Sequence, residues 1–230
     1  MPAWIARLVG LIAIGAAVNV YWMHGRAPQV PADIHRPERT VSGQTLTSMH
    51  APAVALEFAP GFAYAGAQRF LLYGVASAEQ HFFVDADADK RIRRMYWVQF
   101  EGYLPDNTST YDYSKSQGRA QIGGLEFFTD TYAAAVTPPR RPDSDGARAR
   151  ELLQSKGYRY PAEVLSIRLV HLTDATRRAE LMIIYAEDLA SFGVTAEQVA
   201  EPKMQELSAE ILKRARQNLR VIRTAARGGQ

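Results

Sequence analysis

Three aspartates at alternate positions, Asp85, Asp87 and Asp89, form the most metal-like run in this 230-residue chain. They match the first, third and fifth ligand positions of a calcium loop, and Ile92 falls at the usual apolar eighth position. The match then fails. Lys90 stands where glycine makes the sharp turn, Tyr96 stands where a bidentate glutamate closes the shell, and Arg91, Arg93 and Arg94 repel a cation. An aspartate-rich hairpin turn explains the run more simply, because Asp bonds to its own backbone, and no metal is expected.

General acid–base chemistry has four candidates, His81, His171, Glu101 and Asp112. It requires at least two of them to meet within hydrogen-bond reach. His171 shares its alternation with Leu165, Ile167 and Leu169, the pattern of an ordinary sheet residue. His24, His35 and His50 sit in a polar stretch with no ligand spacing. The chain contains no G-x-G-x-x-G, Walker loop, H-E-x-x-H or G-x-S-x-G. It has no cysteine, which excludes a thiol nucleophile, thiolate zinc and disulfides. No cofactor is expected.

The remaining candidate is a surface for binding. From Arg91 to Tyr103 the chain alternates as a long strand, the second arm of a hairpin that starts near His81. One face carries Ile92, Arg94, Tyr96, Val98 and Phe100 and reads as core beyond its first turn. The other carries Arg91, Arg93, Met95, Trp97, Gln99, Glu101 and Tyr103, large apolar groups mixed with polar ones. That mixture suits the wall of a ligand cleft, so Met95, Trp97, Gln99, Glu101 and Tyr103 are the candidate ligand-binding residues. Packing with wet polar tips is the alternative.

The elements that must position this strand follow from period and punctuation. Gln68–Val75, His81–Val84, Tyr111–Tyr113, Arg119–Ile122 and Leu125–Tyr132 read as strands, with a turn at Ala76–Glu79. Glu163–Leu172 and Arg178–Ala186 are the clearest strand pair, apolar on both faces as interior strands are. Ala147–Lys156 reads as a short helix with Leu152 and Leu153 inward and Gly157 as its stop. Thr195 and Gln198 form a capping box. From Lys203 the series Met204, Leu207, Ile211, Ala215, Leu219 and Ile222 predicts one long amphipathic helix. The expected fold is α+β: a mainly antiparallel sheet, meander plus C-terminal hairpin, covered by that helix. The helix and the Trp97 face are expected to wall the cleft together.

Charge argues against nucleic acid as a partner. The sequence pI is 9.1, but Ile211–Gln230 alone holds six basic residues and no acidic one. Removing those six from 27 leaves 21 basic against 24 acidic residues over 1–210, so the rest of the chain has no basic surplus with which to read phosphates.

Leu8–Met23 is uncharged, and extension back to Ala3 gives a helix of about 31 Å, enough for a hydrocarbon core of about 30 Å. Trp4 and Tyr21-Trp22 lie where interfacial aromatics belong. The chain is therefore expected to have an anchor over 1–25, a proline-rich tether over 26–55, and one globular domain over 56–230 with a surface loop near 137–146. Cleavage of a signal peptide after Gly15-Ala16-Ala17 is the alternative for the N-terminus. The function expected from these features is that of a membrane-tethered, extracytoplasmic, non-enzymatic module that binds a small apolar ligand or an envelope protein. An exported hydrolase or isomerase built on the acid–base candidates is the rival.

Overall fold

The computed structural model describes residues 35–224. The anchor expected over 1–25 lies outside the described residues; among those described, no helix is long and apolar enough to cross a membrane. The fold is α+β and mostly antiparallel, with one sheet of seven strands and one of four.

Of the first three strands, β1 (Thr40–Ser42) and β2 (Thr45–Ser48) occupy sequence that reads as tether, and β3 (Val54–Phe58) straddles its expected end. They belong to the four-stranded sheet, so the sequence from Thr40 to residue 55 is part of the folded domain and not a tether. Their shortness hides them: β1 and β2 are three and four residues long, too brief to display a period, yet Leu46, Val54 and Leu56 are fully buried.

Next come β4 (Ala63–Leu72), β5 (Ala76–Ala86), β6 (Ile92–Tyr103), β7 (Gly118–Ile122) and β8 (Leu125–Ala135). The β4–β5 turn is at Tyr73–Val75, with Tyr73 and Gly74 in left-handed conformations, and the expected turn at Ala76–Glu79 is strand. Small Ala76 and Ala78 pack under Phe70 and Leu72, which extends β5 past the point where hydrophobicity fades. Tyr111–Tyr113 is irregular chain held by its side chains rather than by a ladder.

Helix α1 (Asp145–Ser155) starts at Ser144, whose hydroxyl accepts the Ala147 N–H at 3.2 Å. Then follow β9 (Glu163–Leu172), β10 (Ala179–Asp188), α2 (Lys203–Asn218) and β11 (Leu219–Arg223). The capping box opens only a single 3-10 turn, Ala196–Gln198. The amphipathic period also stops early. Leu219 adopts extended backbone, and Leu219–Arg223 pairs with β3 instead of prolonging α2. Burial switches there from helical spacing to the alternation Leu219, Val221.

The seven strands run in the order β4-β5-β6-β10-β9-β8-β7, every neighbouring pair antiparallel. On one face Tyr96, Val98 and Phe100 of β6 join Leu181, Ile183 and Tyr185 of β10 and Leu165, Ile167 and Leu169 of β9. The four-stranded sheet and the Leu207, Ile211 and Ala215 side of α2 close this face, and the Tyr96 hydroxyl donates to the Ala215 carbonyl at 2.7 Å. Ile92, assigned to this face by strict alternation, lies on the other. A β-bulge pairs Asp85 with Arg94 and Ala86 with Ile92, so Arg93 is extra and the strand's first residue changes sides.

The β7–β8 turn abuts β11 so closely that a Cβ on Gly123 would stand 1.9 Å from the Val221 carbonyl oxygen, and its φ is +58°. Gly43 has nearly the same φ, +57°, with nothing nearby. Gly43→Ala should therefore cost about 1 kcal/mol of left-handed strain, and Gly123→Ala about 3 kcal/mol or more once overpacking is added. Urea denaturation of the two variants checks this, and equal losses would contradict the close approach.

Candidate functional site

The second face of the large sheet carries the residues singled out for binding, and it divides along the length of β6. Met95 and Trp97 lie at the apolar end with Phe82, Val84, Met182 and Ile184, beneath Ala149 and Leu153 of α1. Gln99, Glu101 and Tyr103 lie at the polar end.

A cavity of about 100 Å³ remains at the apolar end. Ile92, Met95 and Trp97 form its floor, Ile184 and Ala186 extend that floor, Gly146 and Ala149 of α1 form one wall, and Ala135 to Pro139 another. The void arises where small residues from β8, α1 and β10 meet beside the indole. The proline-rich segment expected to be a plain surface loop thus contributes Thr137, Pro138 and Pro139 to a cavity wall. Trp97 is 5% exposed, and its indole N–H has no partner among the described residues. Buried Trp N–H groups are ordinarily paired, so this donor is an unmet demand in the packing beside the cavity, itself out of reach of water.

Terminal helix α2 does not take part. It packs on the Tyr96–Val98 face, and alternation puts Trp97 on the opposite side, under α1. The cleft expected between Trp97, Tyr103 and the last helix is replaced by two separate hollows, since Tyr103 lines a second one of about 20 Å³.

That second hollow is surrounded by acids. Glu101 and Glu180 are directly opposed on β6 and β10, and Asp145, in the first turn of α1, joins them. A row of cross-strand amides runs into Glu101: Gln68 donates to Gln80 at 2.7 Å, Gln80 to Gln99 at 2.8 Å, and Gln99 to the Glu101 carboxylate at 2.6 Å. Tyr111 donates to the other Glu101 oxygen and Tyr113 to Glu180, both at 2.7 Å. Burial pushes the Glu101 carboxyl up to about 7 against the opposing Tyr111 bond, with the Asp145 charge adding to the rise. Burial, then the Glu101 charge, pushes Glu180 well above the usual carboxylate range, and burial raises Asp145. Sequence reasoning found Glu101 but missed Glu180 and Asp145. Glu180 stands out as an acid within an apolar strand; Asp145 falls in the stretch that reads as a surface loop, just before the expected helix at Ala147. The hollow holds about one water and no substrate.

The four acid–base candidates do not meet. His81 is buried on the first face of β5, where its Nε2 lies 2.7 Å from Glu79 and its Nδ1 3.4 Å from the Tyr64 hydroxyl. His171 is on the same face of β9, three strand spacings or about 14 Å across the sheet. Its Nδ1 faces the Glu126 carbonyl at 2.9 Å. Glu101 is on the opposite face, and Asp112 pairs in solvent with Arg177.

Glu79 instead acts as a clamp. It accepts the Glu38 and Arg39 N–H groups at 2.8 and 2.9 Å and the Arg39 guanidinium at 3.2 Å, which fixes the chain entering β1. Burial raises its carboxyl, but His81 and these donors more than offset that and hold it down to about 2. Among the aspartates of the β5–β6 turn, Asp85 binds Arg93 and Arg94, and Asp87 accepts the N–H groups of Asp89 and Arg91.

Opposite shifts give stability two arms in pH. Glu79, depressed, contributes stability above the unfolded value of about 4.5 that is lost as pH falls toward 2. The Glu101–Glu180 pair, raised, contributes stability below about 4.5 that is lost as pH rises through about 7. The melting temperature should fall by about 5 °C between mildly acidic and mildly alkaline buffer. Glu180→Gln should flatten that arm and leave the acid arm, and Glu79→Gln should do the reverse. Thermal melts across pH check both. Comparison of the chain with protein families, with characterised proteins and with solved structures finds no match.

Proposed function

We propose that this protein is a non-enzymatic binding module for a small, mainly apolar ligand, held outside the cytoplasm by its N-terminal segment. The observation that carries the reading is the cavity beneath α1, walled mainly by apolar side chains, among them Met95, Trp97 and Ile184. Apolar walls with a few polar groups are the usual composition of a ligand site.

The rival acid–base reading has no such support, because its four residues are spread over two faces and a surface loop. Tethering is supported by the sequence alone, through the uncharged Leu8–Met23 segment and its flanking aromatics.

Octanol is a small, mainly apolar probe of such a cavity. It should raise the melting temperature of the full chain by about 3 °C near saturation, by mass action on the folded state. Ala149→Met, which fills the cavity from α1, should abolish the shift. No shift with the unmodified chain would sink the ligand reading. For the location, protease added to cells with an intact cytoplasmic membrane should degrade the globular domain. Digestion only after that membrane is lysed would put the domain on the other side.

A further inference from the structure

Resting on that reading of the cavity, we infer that its ligand is an amphiphilic anion, with an aliphatic chain in the cavity and a carboxylate or phosphate head at Arg150. The cavity adjoins an open groove of about 510 Å³, and the two share Val136, Arg150, Tyr160 and Pro161 as lining. The groove continues along Gln154, Tyr158 and Arg159 and includes two arginines and no carboxylate. Lys90 lies beside it, with its ammonium 5.6 Å from the Tyr158 ring centre.

The charges at the cavity rim are otherwise compensated. Glu187 accepts Arg214 at 2.8 Å, Asp188 accepts Arg91 at 3.2 Å, and Asp85 holds Arg93. Arg150 differs. Among the described residues it forms no ion pair; one of its nitrogens donates to the Thr137 carbonyl at 2.8 Å, and its guanidinium lies 5.1 Å from the Tyr160 ring centre. A neutral carbonyl uses one of five N–H donors and cancels no charge. Arg159 donates to the neutral Asp89 carbonyl at 3.0 Å, and its one approach to a carboxylate among the described residues, 3.9 Å from exposed Asp89, is screened by solvent.

Size and charge therefore point the same way. A dry cavity of about 150 Å³ accepts benzene, so one of about 100 Å³ takes a stretch of about four carbons and leaves the rest of the ligand in the groove. What lies in the groove faces uncompensated cations. A neutral head leaves them unsatisfied, a cationic head is repelled, and an anionic head gains charge-assisted hydrogen bonds.

Isothermal titration of the full chain with octanoate and with octanol tests this, since the two share a chain and differ in head charge. Two cavity-blocked variants, Ala149→Met and Ala135→Leu, provide the background for partition into detergent. Octanoate should bind about tenfold more tightly than octanol; Arg150→Gln should remove that preference while leaving octanol unchanged, and Arg150→Lys should restore part of it. Equal binding of octanoate and octanol, or an octanoate affinity insensitive to Arg150→Gln, would overturn the anion and leave the cavity reading intact. Binding of neither beyond the blocked background would remove both.

Discussion

The pairing of β6 with β10 is the constraint on which the rest of the fold depends. It sets Arg94–Gly102 against Ala179–Glu187 and joins the β4–β6 meander to strands nearly a hundred residues later in sequence. Once Tyr96 faces Tyr185 and Val98 faces Ile183, the period of two commits every other side chain in both strands. Tyr96, Val98 and Phe100 must turn toward α2, and Met95, Trp97, Gln99 and Glu101 must turn toward α1. A one-residue slip would exchange a buried acid row for a buried aromatic row. The Gln68–Gln80–Gln99 amides oppose one another only in the observed register, and so reinforce it.

The two faces solve the burial problem differently. The first is filled with rings and branched chains: Phe58 stacks on Phe83 with centres 3.9 Å apart, and Tyr96 and Tyr185 lie 4.7 Å apart. The second places an apolar hollow and a carboxylate cluster a few residues apart under one short helix. Asp145, at the start of α1, accepts the Gly146 N–H and lines the acidic hollow; Gly146 and Ala149 line the apolar one. The seat of α1 thus depends on both contents of that face. A raised carboxyl at Glu101 and a void beside Trp97 are consequences of one covering element too short to fill the sheet beneath it.

Long alternating strands were legible in the sequence because each carries enough residues to show its period. Glu163–Leu172 was read with both ends in place, and β6 with its two faces, apart from the bulge that moved Ile92. Short strands were not legible. β1 and β2 rely on the neighbouring ladder rather than on their own pattern, and β11 continues the spacing of α2 through Leu219 and Ile222 until pairing with β3 overrides it. The candidate site was half legible. Met95, Trp97, Gln99, Glu101 and Tyr103 share one face as alternation requires, but which helix covers that face is a long-range fact that no local spacing contains. The same limit hid Glu180, whose partner Glu101 is distant in sequence and adjacent only across the sheet.

The cavity beneath α1 is costly in the free protein. A void of about 100 Å³ forfeits about 2 kcal/mol of packing. The unpaired indole N–H adds about 1–3 kcal/mol of desolvation. Together these approach a third or more of the stability of a typical domain, about 5–15 kcal/mol. Replacing Ala149 or Ala135 by a larger apolar residue would remove the first cost by a single substitution, and Phe at Trp97 would remove the second. The opposite face shows that this chain can pack aromatic rings to contact. Against that standard, small side chains from three elements and an arginine without an ion pair among the described residues coincide at one place. An occupant with an apolar chain and a negative head would offset the void and the arginine together, which a larger side chain at Ala149 or Ala135 would not.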